Sequence, residues 1–130
     1  QICAVEKNNE RRRHIEINRD KFGVPNLEVI QATLPDGLKE LPDPDRIFIG
    51  GGGKHLAAII DAAAARLTAK GIMVINTVLI KNVDVALETM GKCDLKTDLV
   101  QLQVSRGKAM PWDQRLEAQN PVWIIAGHKD

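Results

Sequence analysis

Four consecutive glycines, Gly50–Gly53, follow the short apolar run Ile47–Ile49, and no other segment is as well suited to ligand chemistry. The run predicts a strand that ends where the backbone carries no Cβ atoms, so a ligand can approach the main chain closely. In an open α/β sheet, ligands bind at the carboxyl ends of the strands. The segment therefore indicates an α/β fold and the edge of the sheet where chemistry would occur.

The glycine run does not match the two common phosphate-binding motifs. A Walker loop ending in Gly53-Lys54 would need glycine where Phe48 stands and serine or threonine where His55 stands. A Gly-x-Gly-x-x-Gly motif beginning at Gly50 would also require glycine at His55. A flexible turn between a strand and a helix is the simpler interpretation, although such a turn needs fewer than four glycines.

Glu6 is a second candidate, because it directly follows the apolar run Ile2–Val5. An acidic side chain at the carboxyl end of a strand in a nucleotide site can accept hydrogen bonds from ribose hydroxyls. Taken alone, Glu6 is better explained as a surface acid at a strand end. The nucleoside role becomes persuasive only together with the glycine run.

Arg106 and Lys108 are cations at the end of the alternating segment Leu99–Ser105. An arginine at such a position can hold a carboxylate between the two arms of its guanidinium group. A pair of exposed loop cations explains the same two residues equally well.

Recognisable motifs for a metal site or for nucleophilic catalysis are absent from the sequence. The three histidines lack ligand spacing, no Gly-x-Ser-x-Gly occurs, and neither Cys3 nor Cys93 begins a Cys-x-x-Cys pair. Two unpaired thiols are typical of a protein in the reducing cytoplasm.

Composition limits the class of protein. The chain has 130 residues, enough for one domain, and 44% of them are hydrophobic, enough for a packed core. A net charge of +1 and an aromatic content of 3% argue against a nucleic-acid-binding surface. No apolar run reaches the length of a membrane span, so no membrane partner is expected.

Strand and helix patterns alternate along most of the chain. The predicted strands are Ile2–Val5, Leu27–Gln31, Ile47–Ile49 and Ile72–Ile75. The predicted helices run from a cap at Asn8 or Asn9 to about Phe22, over Lys54–Ala69, and from an Asn82 cap to about Gly91. This alternation implies parallel strands joined by right-handed crossovers.

The last third of the chain has a different pattern. The strand-like segments Leu99–Ser105 and Pro121–Gly127 are separated by a predicted loop through Lys108–Gln119, with no helix between them. We therefore expect these two strands to pair antiparallel at one side of the sheet.

Several segments together resemble a known family. They are Ala4–Asn8, Phe22–Asn26, Leu41–Gly53, Gln103–Ala109 and Asn120–Val122. They resemble the class I S-adenosyl-L-methionine-dependent methyltransferases, and more narrowly the decarboxylating precorrin-6Y C-5/C-15 methyltransferases of cobalamin biosynthesis. Within these, the match is to the C-15-methylating, decarboxylating module, of the precorrin-8w decarboxylase type. The resemblance covers nearly the whole chain and implies a Rossmann-like, mostly parallel sheet whose last strand is antiparallel.

The resemblance also implies roles for individual residues. The cofactor-binding group would be Glu6 at the ribose, Ala32, Thr33 and Leu34 at the adenine, and Gly50 and Gly51 beside the methyl sulfonium. The substrate-binding group would be Gly52, Arg106 and Lys108, with a carboxylate-rich precorrin as the substrate. Thr33 stands where the family usually has an acid, so a hydroxyl or backbone group would meet the adenine amine.

The first strand of that fold, with the glycine-rich loop that holds the methionine part of the cofactor, has no counterpart in the sequence. The chain also begins at Gln1 directly inside a predicted strand. We therefore expect a single, N-terminally truncated domain over residues 1–130 that binds the cofactor weakly and is inactive by itself. Unpaired strand edges favour new pairing, so a homo-oligomer is expected.

Two other functions remain compatible with the sequence. One is a class I methyltransferase that acts on RNA or on another small molecule, although the low aromatic content and near-neutral charge argue against RNA. The other is a non-catalytic domain that keeps the fold as an assembly module.

Overall fold

A computed structural model describes all residues, 1–130. The chain divides into two compact units, Gln1–Pro42 and Asp43–Asp130. The first unit contains a two-stranded sheet, and the second contains a four-stranded sheet and a two-stranded hairpin.

The first unit is a strand–helix–strand segment. Strand β1 (Ile2–Val5) and strand β2 (Leu27–Ile30) are parallel and in register from Ile2 opposite Leu27 to Val5 opposite Ile30. Helix α1 (Asn9–Lys21) connects them. Its N-terminus is capped by Asn8, whose Oδ1 accepts the backbone N–H of Arg11 at 3.0 Å.

The second unit contains a four-stranded mixed sheet and two helices. Its elements in chain order are β3 (Arg46–Ile49), α2 (Leu56–Arg66), β4 (Ile72–Thr77), α3 (Ile80–Lys92), β5 (Lys96–Leu102) and, after a hairpin, β8 (Val122–His128). The strand order is β3-β4-β8-β5. Strands β3 and β4 are parallel, whereas β8 runs antiparallel to both of its neighbours, β4 and β5.

A separate two-stranded hairpin lies between β5 and β8. It consists of β6 (Ser105–Ala109) and β7 (Gln114–Ala118), paired antiparallel. The N–H of Met110 donates to the carbonyl oxygen of Asp113 at 2.7 Å and closes the turn. Both strands of the hairpin are exposed along their whole length.

The core of the second unit lies between one face of the four-stranded sheet and the two helices. Its fully buried large side chains are Leu56, Ile60, Met73, Ile75, Met90 and Ile125. Burying a side chain of this size contributes about 1.5–3 kcal/mol each, so this cluster is the main source of stability in the unit. The ammonium group of Lys129 donates to the carbonyl oxygens of Ala64 and Leu67, and so joins the end of β8 to the end of α2.

The structure confirms the α/β fold class, the parallel pairs and the antiparallel last strand. Three local predictions are wrong. The strand predicted at Leu99–Ser105 is β5 (Lys96–Leu102), which begins and ends three residues earlier, and Ser105 begins β6. Asn82 does not cap the third helix, because α3 begins three residues earlier, after Leu79. The segment Lys108–Gln119 is not a loop but most of the β6–β7 hairpin. No helix combines the length and the apolar character that a membrane crossing requires. The assignment of residues 1–130 to a single domain stays a prediction.

Candidate functional site

The carboxyl edge of the second sheet presents the glycine run. Strands β3 and β4 are parallel, with Ile49 opposite Ile75, so the segments that follow both strands leave the sheet at the same edge. Gly50–Gly53 follows β3 here, and Asn76 and Thr77 end β4. In parallel sheets this edge is where ligands bind.

The four glycines differ in what their backbone requires. Gly52 and Gly53 have φ values of 125° and 52°, which residues with a Cβ atom rarely adopt. A Cβ on Gly52 would also lie 3.0 Å from Leu56 Cδ1. Gly51, by contrast, would have no atom within 4 Å of an added Cβ. The turn itself therefore requires Gly52 and Gly53, while Gly51 leaves open space at the edge.

Glu6 lies at the carboxyl edge of the first sheet. Its backbone N–H donates to the carbonyl oxygen of Ile30 at 3.0 Å, which continues the β1–β2 ladder. Its carboxylate oxygen Oε1 accepts the N–H of Asn8 at 2.8 Å, and the residue is half-buried. The contact with Asn8 holds the Glu6 side chain in place. A carboxylate can accept several more hydrogen bonds, so Glu6 can still accept hydrogen bonds from hydroxyl groups.

The predicted adenine segment leaves the same edge as Glu6. Strands β1 and β2 are parallel, and Ala32, Thr33 and Leu34 follow β2. The carbonyl oxygen of Thr33 accepts the N–H of Gly37 at 3.0 Å, and a Cβ on Gly37 would collide with Ala32 Cβ. The first unit thus brings the predicted ribose and adenine residues to one edge.

Arg106 and Lys108 lie on β6, and the hairpin begins at the carboxyl edge of the second sheet. Leu102, which ends β5, is opposite Val122, which begins β8, and Trp123 is opposite Thr77 at the end of β4. Consequently the hairpin extends from the edge that carries the glycine run.

The two hairpin cations differ in their partners. The Nζ of Lys108 lies 3.0 Å from Glu117 Oε1, whereas Arg106, although opposite Glu117 in the ladder, makes no ion pair. Arg115 also contacts Glu117, at 3.4 Å. Arg106 is therefore the hairpin cation with no acidic partner, and Lys108 is partly neutralised.

Cys93 is a poor candidate for a nucleophile. Cys93 directly follows α3, at the helix end remote from the carboxyl edge. Burial raises the pKa of its thiol, and a hydrogen bond to Asp61 at 3.4 Å raises it further. A raised pKa leaves less of the reactive thiolate at neutral pH. No cluster of three or more histidine, cysteine or acidic side chains in the chain could hold a metal ion.

Sequence reasoning missed one part of this edge. Val78, Leu79 and Ile80 stand exposed directly after β4, where the sequence suggested only a connection to a helix. The signal was present in the sequence as three aliphatic residues at a predicted strand end, but such a run is usually buried.

The comparisons with known proteins decide the family. The model of the precorrin methyltransferase domain matches residues 1–129. The chain belongs to this family. The resemblance read from the sequence is thereby confirmed, together with its class I methyltransferase fold.

Relatives extend beyond the length of this chain. A protein of Pyrobaculum calidifontis, named a probable cobalt-precorrin-6B C(15)-methyltransferase (decarboxylating), is 37% identical over 98% of the chain and 65% of its own length. The cobalt-precorrin-6B C(15)-methyltransferase (decarboxylating) of Salmonella typhimurium is 32% identical over 100% of the chain and 67% of its own length. The chain therefore spans about two thirds of the length of these relatives.

Solved structures of the family have the same fold. The precorrin-6Y C5,15-methyltransferase of Geobacter metallireducens superposes with a TM-score of 0.92 at 36% identity, over 99% of this chain and 67% of the other. The precorrin 8W decarboxylase of Methanobacterium thermoautotrophicum has the same TM-score at 23% identity, over 98% and 69%. The second likeness shows the fold alone.

Proposed function

We propose that the protein methylates a precorrin or cobalt-precorrin at C-15 and releases carbon dioxide from one of its acetate arms. The observation that carries this proposal is the family match over residues 1–129, supported by 37% identity to a relative that bears this activity in its name. The open carboxyl edges of both sheets supply places where such a reaction could occur.

Each unit, taken by itself, presents groups at the carboxyl edge of its sheet that suit one part of S-adenosyl-L-methionine. Glu6 presents a half-buried carboxylate that keeps acceptor capacity for ribose hydroxyls. Thr33 is exposed and offers a hydroxyl group to the adenine amine. Gly51 leaves open space where a side chain would otherwise stand. We assign Glu6, Ala32, Thr33 and Leu34 to the nucleoside, and Gly50 and Gly51 to the methyl-donor end.

Alignment is the main task of the protein in this reaction. S-adenosyl-L-methionine supplies a methyl group on a sulfonium that is already activated, so the transfer needs orientation more than proton exchange. Glu6 would fix the ribose, and the bare backbone at Gly50 and Gly51 would let the reacting carbon approach closely. Gly52 and Gly53 hold the turn that exposes this backbone.

The substrate would be held by its carboxylates. Arg106 has no acidic partner, and its guanidinium group can bind a carboxylate through two parallel hydrogen bonds. Lys108, which already contacts Glu117, would contribute a weaker attraction. Gly52 belongs to the same substrate group by its place in the turn after β3.

A homo-oligomer in the cytoplasm is part of this proposal. Strand β5 lies at the edge of its sheet and is exposed along its whole length, and the hairpin carries Trp112, which is 85% exposed. Exposed edges and apolar side chains favour association of copies. Cys3 and Cys93 are free thiols, as expected in a reducing compartment. Nucleic acid and membrane surfaces are not expected partners.

The test is a methyl-transfer assay on the longest natural form of the protein that contains these residues. Incubation with S-adenosyl-L-methionine and a precorrin or cobalt-precorrin substrate should give a methylated product that has lost carbon dioxide, detected by mass spectrometry. Transfer only to RNA, or no transfer to any tetrapyrrole, would reject the proposal. Analytical ultracentrifugation of the same preparation tests the homo-oligomer.

A further inference from the structure

Three consecutive aliphatic side chains are exposed where β4 leads into α3. Val78, Leu79 and Ile80 are 51%, 56% and 75% exposed, and together we call them the aliphatic ledge. Contiguous exposed apolar surface in a folded protein often marks a binding site.

The stability of α3 does not explain why a leucine stands at position 79. It occupies the N-cap position of α3, and the helix has no side-chain cap. Serine, threonine, aspartate and asparagine are strongly preferred at this position because their oxygens accept the unpaired N–H groups of the first turn. Leucine gives up that hydrogen bond, and here it does not bury its side chain in exchange.

Lys81 is a second unfavourable choice at the same helix end. It lies in the first turn of α3, which contains no acidic residue. The helix macrodipole is positive at this end and favours anionic side chains over cationic ones. Two neighbouring residues that oppose local stability, both exposed, indicate a functional constraint on this end of the helix.

The ledge lies on the edge that carries the glycine run. Val78 follows β4 and Gly50 follows β3, and these strands are parallel and adjacent. The two turns that follow β3 and β4, residues 50–55 and 78–79, together with the first two residues of α3, contain Lys54 and Lys81 and no acidic residue; Asp61 and Asp84 lie further along α2 and α3. These turns therefore combine apolar surface with positive charge, the complement of an apolar ring system with carboxylates on its rim.

We propose that the aliphatic ledge binds the apolar face of the tetrapyrrole macrocycle, while Lys54 and Lys81 meet carboxylates on its rim. This inference rests on the proposed function and names where its substrate lies. The hydroxyl oxygen of Thr77 accepts the backbone N–H of Leu79 at 3.1 Å, so the ledge is already held in one conformation. Binding to a surface that is already ordered costs less entropy.

The experiment measures binding of uroporphyrin, a planar tetrapyrrole with carboxylate arms, by titration calorimetry on the longest natural form of the protein. Leu79→Ser removes the central contact of the ledge, and Lys81→Gln removes one charge. The matched controls are Ile17→Ser, which changes another exposed aliphatic residue, and Lys92→Gln, at the opposite end of α3.

We expect Leu79→Ser to weaken uroporphyrin binding roughly tenfold, because it removes a buried apolar contact from the complex. Lys81→Gln should weaken it roughly two- to fivefold and reduce its dependence on salt concentration. Both controls should stay within about twofold of the unaltered protein. Leu79→Ser should also keep or raise the melting temperature, because serine is a good N-cap.

Two outcomes overturn the inference. One is the absence of uroporphyrin binding by the unaltered protein. The other is unaltered uroporphyrin binding in Leu79→Ser; if the oligomeric state of that variant also changes, a second copy covers the ledge. The proposed function fails differently: the ledge would bind uroporphyrin while no methyl group reaches any precorrin.

Discussion

The side-chain amide of Asn82 donates a hydrogen bond to the hydroxyl oxygen of Thr77 at 3.2 Å. Thr77 ends β4 and is buried, and Asn82 lies in the first turn of α3. The same oxygen accepts the N–H of Leu79, so one hydroxyl group connects the end of the strand to the start of the helix. This connection fixes the path of the chain through the aliphatic ledge.

Removing that hydroxyl should lower the free energy of unfolding. Thr77→Val keeps the shape of the side chain but leaves the Leu79 N–H and the Asn82 amide without their acceptor, which we expect to cost about 1–3 kcal/mol. Thr77→Ser keeps the hydroxyl and should cost clearly less. Urea unfolding followed by circular dichroism measures both. Equal losses in the two variants would show that the hydroxyl group contributes no more to stability than the methyl group does.

Alanine at two neighbouring glycines should have opposite consequences. Gly52→Ala forces a Cβ into a φ of 125° and against Leu56, and should destabilise the fold by about 1–3 kcal/mol. Gly51→Ala meets no atom within 4 Å and should change stability by less than about 0.5 kcal/mol. It should nevertheless reduce methyl transfer, because the added methyl group occupies space assigned to the ligands.

Thermal unfolding and the methyl-transfer assay separate these two effects. If Gly51→Ala were as active as the unaltered protein, the open space at Gly51 would have no part in the reaction. If it were as unstable as Gly52→Ala, the turn would depend on all of its glycines.

Apart from the start of α3, the strands and helices of the first 92 residues followed from hydrophobic periodicity. The strand predicted at Ile2–Val5 has those bounds in the structure, and the predicted strand Ile47–Ile49 gains only Arg46. These segments bury an apolar surface, and the spacing of their apolar residues alone predicts which are strands and which are helices. The glycines after Ile49 likewise predicted the turn, because glycine readily adopts φ values such as that of Gly52 and other residues rarely do.

The errors lie where local preference and the structure disagree. Asn82 is a good N-cap by type, yet α3 starts after Leu79, because the Asn82 side chain is engaged with Thr77. The sequence pattern did not predict the hairpin because both of its strands are exposed. No alternation of apolar and polar residues therefore marks them as strands. Pro111 between the two strands was the available turn signal. Functional positions are where such disagreements are expected.

Glu6→Gln should weaken cofactor binding without unfolding the first unit. Glutamine keeps an oxygen that can accept the Asn8 N–H but loses the negative charge, and hydrogen bonds to charged groups are worth about 1.5–3 kcal/mol. We expect a loss of roughly tenfold or more in affinity for S-adenosylhomocysteine, measured by calorimetry on the natural protein. Glu28→Gln, an equal change of charge on β2, serves as the control. Similar affinities in both variants would remove Glu6 from the site.

Arg106→Ala should weaken tetrapyrrole binding more than cofactor binding. The side chain is exposed, so we expect a modest effect, roughly two- to fivefold on the dissociation constant of the tetrapyrrole. Arg115→Ala on the opposite strand of the hairpin is the control, because Arg115 already contacts Glu117. Calorimetry with uroporphyrin and with S-adenosylhomocysteine gives both constants. Equal losses for the two ligands would contradict a substrate role for Arg106.

The 130-residue chain by itself should bind S-adenosyl-L-methionine weakly. Strand β1 pairs only with β2, and β3 pairs only with β4, so each sheet presents one of these strands as an unpaired edge. Such edges expose backbone donors and acceptors that favour pairing with other chains over an ordered ligand site. Calorimetric titration of these 130 residues should therefore show no tight binding.

The control is a form extended to the length of its relatives, for which we expect a dissociation constant at least roughly tenfold lower, because a site ordered beforehand binds at a smaller entropic cost. Tight binding to the 130 residues that disappears in Glu6→Gln would refute this expectation and show that the chain holds a complete nucleoside site.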